Sequence, residues 1–298
     1  MWRPSALPLS KCVLADMRDP SNARVVLITG ASSGIGEATA REFARQGDHV
    51  ILASRRIERL QRLADDLQAE FPGCQPLAIR VDVTRLEDIR ACVQTTIDRY
   101  GRLDVLFANA GVAALGWLED LEPEQEVATQ LRTNLEGVIL AAREVLPHMQ
   151  ARRQGHIILM SSLAGWIATP TYSVYAASKF GVRGFGRALK REVSPWGIRV
   201  STVFVGAVRT GFAAEAARRR KTGWTTPPAL VVSPERLARA IVRLASRPRP
   251  TVVLPGIFWP VIWLELIWPG LIDRLTAAMF VQRERSDELS EDRPKKIS

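Results

Sequence analysis

Arg24-Val25-Val26-Leu27-Ile28-Thr29-Gly30-Ala31-Ser32-Ser33-Gly34-Ile35-Gly36 decides the fold of this 298-residue chain. A short β-branched run that stops at glycine is the pattern of a parallel strand buried on both faces. The glycines at 30, 34 and 36 then carry the chain through a tight turn into a helix expected over 34–46, which Gly47 ends. A helix that opens this way offers unpaired N–H groups and the positive end of its dipole to a phosphate. Positions without Cβ let a pyrophosphate approach the backbone. The spacing is GxxxGxG rather than GxGxxG, and taken alone it also fits a purely structural turn.

Working outward, the same alternation continues. Strands are expected at 49–54, 77–81, 104–108, 156–160, 199–205 and 251–254, and helices at 57–71, 86–100, 124–150, 174–194 and 234–246, the third of them one long helix with Pro147 near its end. Alternating strands and helices at this spacing build right-handed βαβ units. The expected class is α/β: a single doubly wound parallel-sheet Rossmann domain over 23–255. An N-terminal arm (1–22) precedes it, an apolar, Trp-rich helical extension (256–280) follows, and a disordered tail (281–298) ends the chain.

A hydrophobic content of 47% is enough to fill such a core. Cys12, Cys74 and Cys92 have no metal-ligand spacing, so they read as reduced thiols of a reducing, cytoplasmic compartment. Residues 1–23 lack the apolar run of a secretory signal. His49, His148 and His156 are too scattered for a metal site and suit packing better than catalysis, so no metal is expected. The net charge of +10 admits nucleic acid, anionic lipid or acidic ligands as partners. It is concentrated at Arg218-Arg219-Arg220-Lys221 and at Arg236, Arg239, Arg243, Arg247 and Arg249, without zinc-finger spacing or an aromatic RNA-binding motif. Nucleic acid is therefore not an expected partner.

The end of the second strand discriminates between dinucleotides. A carboxylate there accepts from the ribose 2′-hydroxyl of NAD. Here Ser54 stands in that place, followed by Arg55 and Arg56. Two guanidiniums can hold a 2′-phosphate through charge-assisted hydrogen bonds, and cations at a helix start are otherwise unfavourable. NADP(H) is the expected cofactor. Further along, Tyr175 and Lys179 lie at i and i+4 on a helix and share one face. A free phenol has a pKa near 10, too high for a base at neutral pH. A neighbouring ammonium and an oxidised nicotinamide both favour the phenolate. Ser162, at the end of the fifth strand, brings a hydroxyl to the carboxyl edge of the sheet. A phenol, an ammonium and a hydroxyl gathered there point to proton exchange with a carbonyl or alcohol oxygen.

In this order the motifs make the chain resemble the short-chain dehydrogenase/reductase superfamily over 24–255. Thr29 to Gly36, including Ser32, Ser33 and Ile35, is similar to its TGxxxGIG cofactor turn. Asp82 with Val83 resembles its adenine contact. Asn109-Ala110-Gly111 matches its NAG motif, with Ala108 where a first Asn is usual. Gly206 to Thr210 resembles its PGxVxT loop, with Val205 in place of the proline. The resemblance implies that Val208 and Thr210 hold the carboxamide and that Tyr175 exchanges the proton. It implies that Ser162 orients the substrate oxygen, that Lys179 binds the nicotinamide ribose and lowers the tyrosine pKa, and that Asn134 holds a water linking Lys179 to solvent. It also implies a homodimer or homotetramer.

Loops above the carboxyl edge are expected to set specificity, and Trp117, Trp166 and Trp224 are candidate walls of a pocket for a lipophilic carbonyl or alcohol. From Val252 to Ile272 the only charge is Glu265, but Pro255, Pro260 and Pro269 interrupt what would otherwise be long enough to span a bilayer. A lid, a subunit contact and peripheral membrane association through 256–280 are all compatible with that composition. The competing functional reading is a non-catalytic NADP(H)-binding scaffold recruited by this tail. The presence of Asn134, Ser162, Tyr175 and Lys179 together argues against it.

Overall fold

The computed structural model describes residues 23–216 and 226–281. The arm, Cys12, the Arg218–Lys221 cluster, Trp224 and all but the first residue of the expected tail lie outside the described residues.

Seven parallel strands form one sheet in the order β3-β2-β1-β4-β5-β6-β7. They are β1 (Val25–Thr29), β2 (His49–Ser54), β3 (Leu77–Arg80), β4 (Val105–Ala108), β5 (Gly155–Ser162), β6 (Ile198–Val205) and β7 (Thr251–Leu254). Every residue of β1 is buried, because helices cover both faces of the sheet. Val25 and Leu27 pack into one core with α3 (Leu86–Tyr100), α5 (Gly137–Ala151) and α6 (Ser173–Glu192). Val26 and Ile28 pack into the other with α1 (Gly34–Arg45), α2 (Ile57–Glu70) and α8 (Pro234–Ser246). The period of two thus feeds two separate cores. From β1 the chain winds outward to β2 and β3, then returns to start β4 on the other side of β1. The crevice at the carboxyl ends of β1 and β4 is the topological switch point, where open α/β sheets take their ligands.

Two elements differ from expectation. The fifth strand is longer than the expected 156–160 and ends at Ser162, where that hydroxyl was expected, since Ser161 and Ser162 pair with Phe204 and Val205 of β6. The expected single helix over 124–150 follows a continuous path but changes its winding. Wide π-type turns at Pro123–Ala128 and Arg132–Glu136 flank the short α4 (Thr129–Leu131) before α5 begins. Wide turns of this kind are frequent at functional sites, and the second one contains the fully buried Asn134. Beyond β7, α9 (Trp259–Ile267) and α10 (Pro269–Thr276) are bent by 110° at Trp268. No single described helix is long and apolar enough to cross a membrane.

Cys74 and Cys92 are buried free thiols, and burial pushes them up to about 11 and about 12. His156 is buried in β5, with Nε2 2.8 Å from the Ser201 hydroxyl, and the backbone N–H of Gln75 donates to His49 Nδ1. Both histidines are engaged in packing contacts.

Candidate active site

The glycine turn leaves β1 through Gly30, whose φ of +68° suits glycine, and the Gly30 N–H donates to the Ala53 carbonyl of β2 at 2.8 Å. A Cβ at Gly36 would lie 2.2 Å from the Gly30 carbonyl oxygen and 2.9 Å from Ala31 Cα. Neither neighbour is a flexible side-chain tip, so Gly36→Ala must displace the turn. We expect a loss of about 1–3 kcal/mol, read as a fall of several degrees in Tm, together with weaker cofactor binding. An unchanged melting curve would contradict this close approach.

Thr29 and Asn109 brace the turn against β4. The Thr29 hydroxyl accepts from the N–H groups of Asn109 and Ala110 at 3.0 and 3.1 Å. The Asn109 amide donates to the Thr29 carbonyl at 3.0 Å and to the Gly30 carbonyl at 3.4 Å. Asn109 therefore holds the shape of the turn, together with Thr29, the first residue of the TGxxxGIG match. Ser33 caps α1 without a side-chain bond to its first turn, leaving the N–H groups around Gly34, Ile35 and Gly36 without a side-chain cap. A Cβ at Gly34 would lie 3.2 Å from Thr210 Cγ2, so the loop after β6 comes over the turn. Gly206 donates to the Leu254 carbonyl, and Val208 bridges to Val232.

The Arg56 guanidinium reaches the same turn. It donates to the Ser32 hydroxyl at 2.8 and 3.1 Å and to the Ser33 hydroxyl at 2.7 Å. Partial burial and the like charges of Arg59 and Arg55 lower its proton affinity. Arg55 is exposed beside it. At the end of β3, Asp82 accepts from the Thr84 N–H at 3.0 Å and the Thr84 hydroxyl at 2.8 Å. Burial opposes its charge, but those bonds and the Arg55 and Arg85 guanidiniums hold it below the usual carboxylate range. Val83 is buried, and its carbonyl lies where a Cβ on Gly137 would be 2.8 Å away. Backbone N–H groups without a side-chain cap, a guanidinium with two hydroxyls and a carboxylate thus line one crevice. This donor set fits a dinucleotide.

Beyond the crevice, α6 packs directly on the turn after β5. A Cβ at Gly165 would lie 2.8 Å from both the Lys179 carbonyl and the Ser161 hydroxyl, and that hydroxyl donates to Lys179 O at 3.1 Å. The close contact brings Tyr175 near Ser162, whose hydroxyl favours the phenolate. Ser162 Oγ also accepts from the Ala164 N–H at 3.2 Å. Lys179, 4% exposed, donates to the Met160 carbonyl at 3.2 Å and lies 5.6 Å from the Tyr175 ring centre. Burial pushes Lys179 down to about 8. Burial also pushes Tyr175 up to about 12, with Ser162 opposing and Tyr172 adding to the rise. Desolvation is the largest influence on the phenol, and Lys179 contributes no lowering against it.

Asn134 uses its side chain on the neighbouring loop. Its Oδ1 accepts from the Val112 N–H and its Nδ2 donates to the Val112 carbonyl, both at 2.8 Å, with Ser178 Oγ 3.3 Å from Nδ2. Ser178 in turn donates to the Tyr175 carbonyl at 2.7 Å. Asn134 therefore fixes the loop at Val112. A Cβ at Gly111 would lie 3.1 Å from Asn134 Oδ1 and 3.8 Å from Lys179 Nζ, so only a small residue fits there.

The tryptophans divide. Trp117 is half-buried on the loop that Gly116 ties to Thr171, just before α6. Trp166 turns away from Tyr175. It packs on Phe204 and Trp259 under α9, and the Arg183 guanidinium stacks 3.3 Å from its ring centre. The apolar side chains around Tyr175 are instead Leu115, Ala164, Tyr172, Ala216 and Phe212, the last with its ring centre 6.3 Å away. Phe212 begins α7 (Gly211–Ala216). Its place was readable only as part of a long loop, because a tryptophan signals apolar burial without saying on which side of the sheet edge.

The chain belongs to the short-chain dehydrogenase family, whose model, "short chain dehydrogenase", matches residues 24–221. It is 36% identical over 251 residues to 11-beta-hydroxysteroid dehydrogenase-like 4A of Arabidopsis thaliana, covering 84% of this chain and 83% of that one. It is 40% identical over 189 residues to a 3-ketodihydrosphingosine reductase of Bacteroides thetaiotaomicron, covering 63% and 65%. Among solved structures, an alcohol dehydrogenase from Thermococcus sibiricus complexed with 5-hydroxy-NADP superposes with a TM-score of 0.69 at 28% identity, covering 78% of this chain and 95% of that one. The protein is an oxidoreductase of this family, which acts on hydroxyl and keto groups.

Proposed function

We propose that the protein is an NADP(H)-dependent oxidoreductase that interconverts a lipophilic carbonyl and its secondary alcohol, with Tyr175 as general acid and base. The observation that carries this reading is the buried Tyr175 and Lys179 set against the Ser162 hydroxyl, on the same sheet edge as the glycine turn. A bound nicotinamide supplies or accepts the hydride. Tyr175 gives its proton to the carbonyl oxygen, Ser162 orients that oxygen, and the Lys179 ammonium stabilises the phenolate left behind. The Arg56 guanidinium, with Ser32, Ser33 and Arg55, favours the 2′-phosphate of NADP(H). A lipophilic substrate is supported by the apolar lining at Tyr175 and by relatives named for a hydroxysteroid dehydrogenase and a ketodihydrosphingosine reductase. We take 23–255 as the catalytic unit, 256–280 as an appendage to it, and a homodimer or homotetramer as the assembly.

The test is optical: NADPH and NADH oxidation against a panel of hydrophobic ketones and aldehydes. Turnover with NADPH, and much less with NADH, is expected. Tight NADPH binding without turnover in either direction would favour the scaffold reading. The pH dependence follows from Lys179. Its ammonium is the form that donates to the nicotinamide ribose, and burial brings its pKa down to about 8 from the usual 10.5. Below about 8 the charged form predominates, and NADPH affinity should be flat. Above it affinity should weaken, by up to about tenfold per pH unit. A fluorescence titration of NADPH checks this, and Lys179→Met should remove the dependence.

A further inference from the structure

The geometry points to a second site: a cleft that binds the phosphate of anionic lipid headgroups and seats the protein on a membrane surface. This goes beyond the oxidoreductase reading and does not rest on it. The cleft, about 300 Å³, lies between α6, β6, the start of β7 and the start of α9. It is lined by Arg183, Arg187, Lys190 and Arg191, with Trp166 and Trp259, and no carboxylate contributes to the lining. The four cations stand at i, i+4, i+7 and i+8 on one stripe of α6. Among the described residues none of the four is ion-paired. Arg183 stacks on Trp166 and donates to the Gly165 carbonyl, while Arg187, Lys190 and Arg191 are exposed.

The apolar half of the surface begins at the rim of this cleft. Trp259 lines it, and Trp263 and Ile267 follow at successive turns of α9 on the same stripe, 58% and 76% exposed. Leu266 and Trp268 extend the face, 50% and 64% exposed. A helix of nine residues is roughly 14 Å long, about half the hydrocarbon thickness, and the 110° bend turns α10 aside. Neither helix alone is long enough to span, and a pair bent this sharply suits lying in the interface. Exposed tryptophans beside a stripe of unpaired cations match the two layers of that interface, apolar below and anionic above. Charge complementarity selects an anionic bilayer as the occupant over a second copy of this chain, which would bring the same cations with it.

Flotation of the full chain with phosphatidylcholine vesicles, with and without phosphatidylserine, tests the assignment. Binding is expected to the anionic vesicles and to weaken with salt. The double variant Arg187→Glu/Lys190→Glu should lower partitioning into anionic vesicles by about tenfold or more. The variant Trp263→Ser/Ile267→Ser should lower partitioning into both kinds of vesicle. Both variants alter exposed positions, and unchanged NADPH affinity serves as the control for folding. Inorganic phosphate should compete only weakly, because it lacks the apolar contact. No flotation of the wild-type chain overturns the proposal, and so does equal binding to both vesicles that charge reversal leaves unchanged. Loss of self-association in the Trp263→Ser/Ile267→Ser variant, seen by sedimentation without vesicle binding, would assign the face to a subunit contact instead.

Discussion

Tyr175→Phe is expected to lower kcat/KM by at least about a hundredfold, and by up to about 10⁴-fold, the range of a positioned general acid. The substitution removes one oxygen and keeps the ring. The ring contacts with Tyr172 and Phe212 remain, so the pocket has no cavity to collapse into. Ser162 keeps its bond from the Ala164 N–H, and Lys179 keeps the Met160 carbonyl. NADPH affinity should therefore be unchanged within about twofold, since none of the groups in the glycine crevice is touched. Steady-state turnover and a fluorescence titration on the same preparation check both halves. A folded variant that no longer binds NADPH would mean that Tyr175 serves the cofactor and not the proton transfer.

Arg56→Ala should weaken NADPH binding by roughly ten- to a hundredfold, the equivalent of about 1.5–3 kcal/mol for hydrogen bonds to a charged group. NADH affinity should hardly move, because NADH has no 2′-phosphate to lose. The guanidinium is already aligned by the Ser32 and Ser33 hydroxyls, so little ordering is needed on binding. Arg55→Ala is expected to have a smaller effect. Arg55 lacks the bonds to those two hydroxyls. Equal losses for NADPH and NADH in Arg56→Ala would mean that Arg56 only holds the turn in shape.

The sheet was legible because β1 and β2 are buried on both faces and so read as apolar runs. The glycine turn was legible because close approach tolerates no Cβ at Gly36. Three features were not. The wide turns around Asn134 leave no mark in the apolar periodicity, since the helix keeps its path while its hydrogen bonds shift. The bracing by Thr29, Ser161 and Ser178 consists of short polar side chains bonding to backbone far away in sequence, which no local pattern encodes. The pKa of Tyr175 was expected to fall from its proximity to Lys179, but burial of both groups depends on how α6 meets the turn after β5. Trp166 illustrates the same limit, as its apolar character was plain but its side of the sheet edge was not.

The most direct test follows the hydride itself. Wild-type protein is mixed with NADPH dideuterated at the nicotinamide C4 and a hydrophobic ketone, and the alcohol formed is weighed by mass spectrometry. The account predicts one deuterium on the carbinol carbon of the product, and no labelled product from Tyr175→Phe on the same timescale. NADPH that binds while the ketone panel yields no labelled alcohol would contradict it and leave a dinucleotide-binding protein without the proposed chemistry.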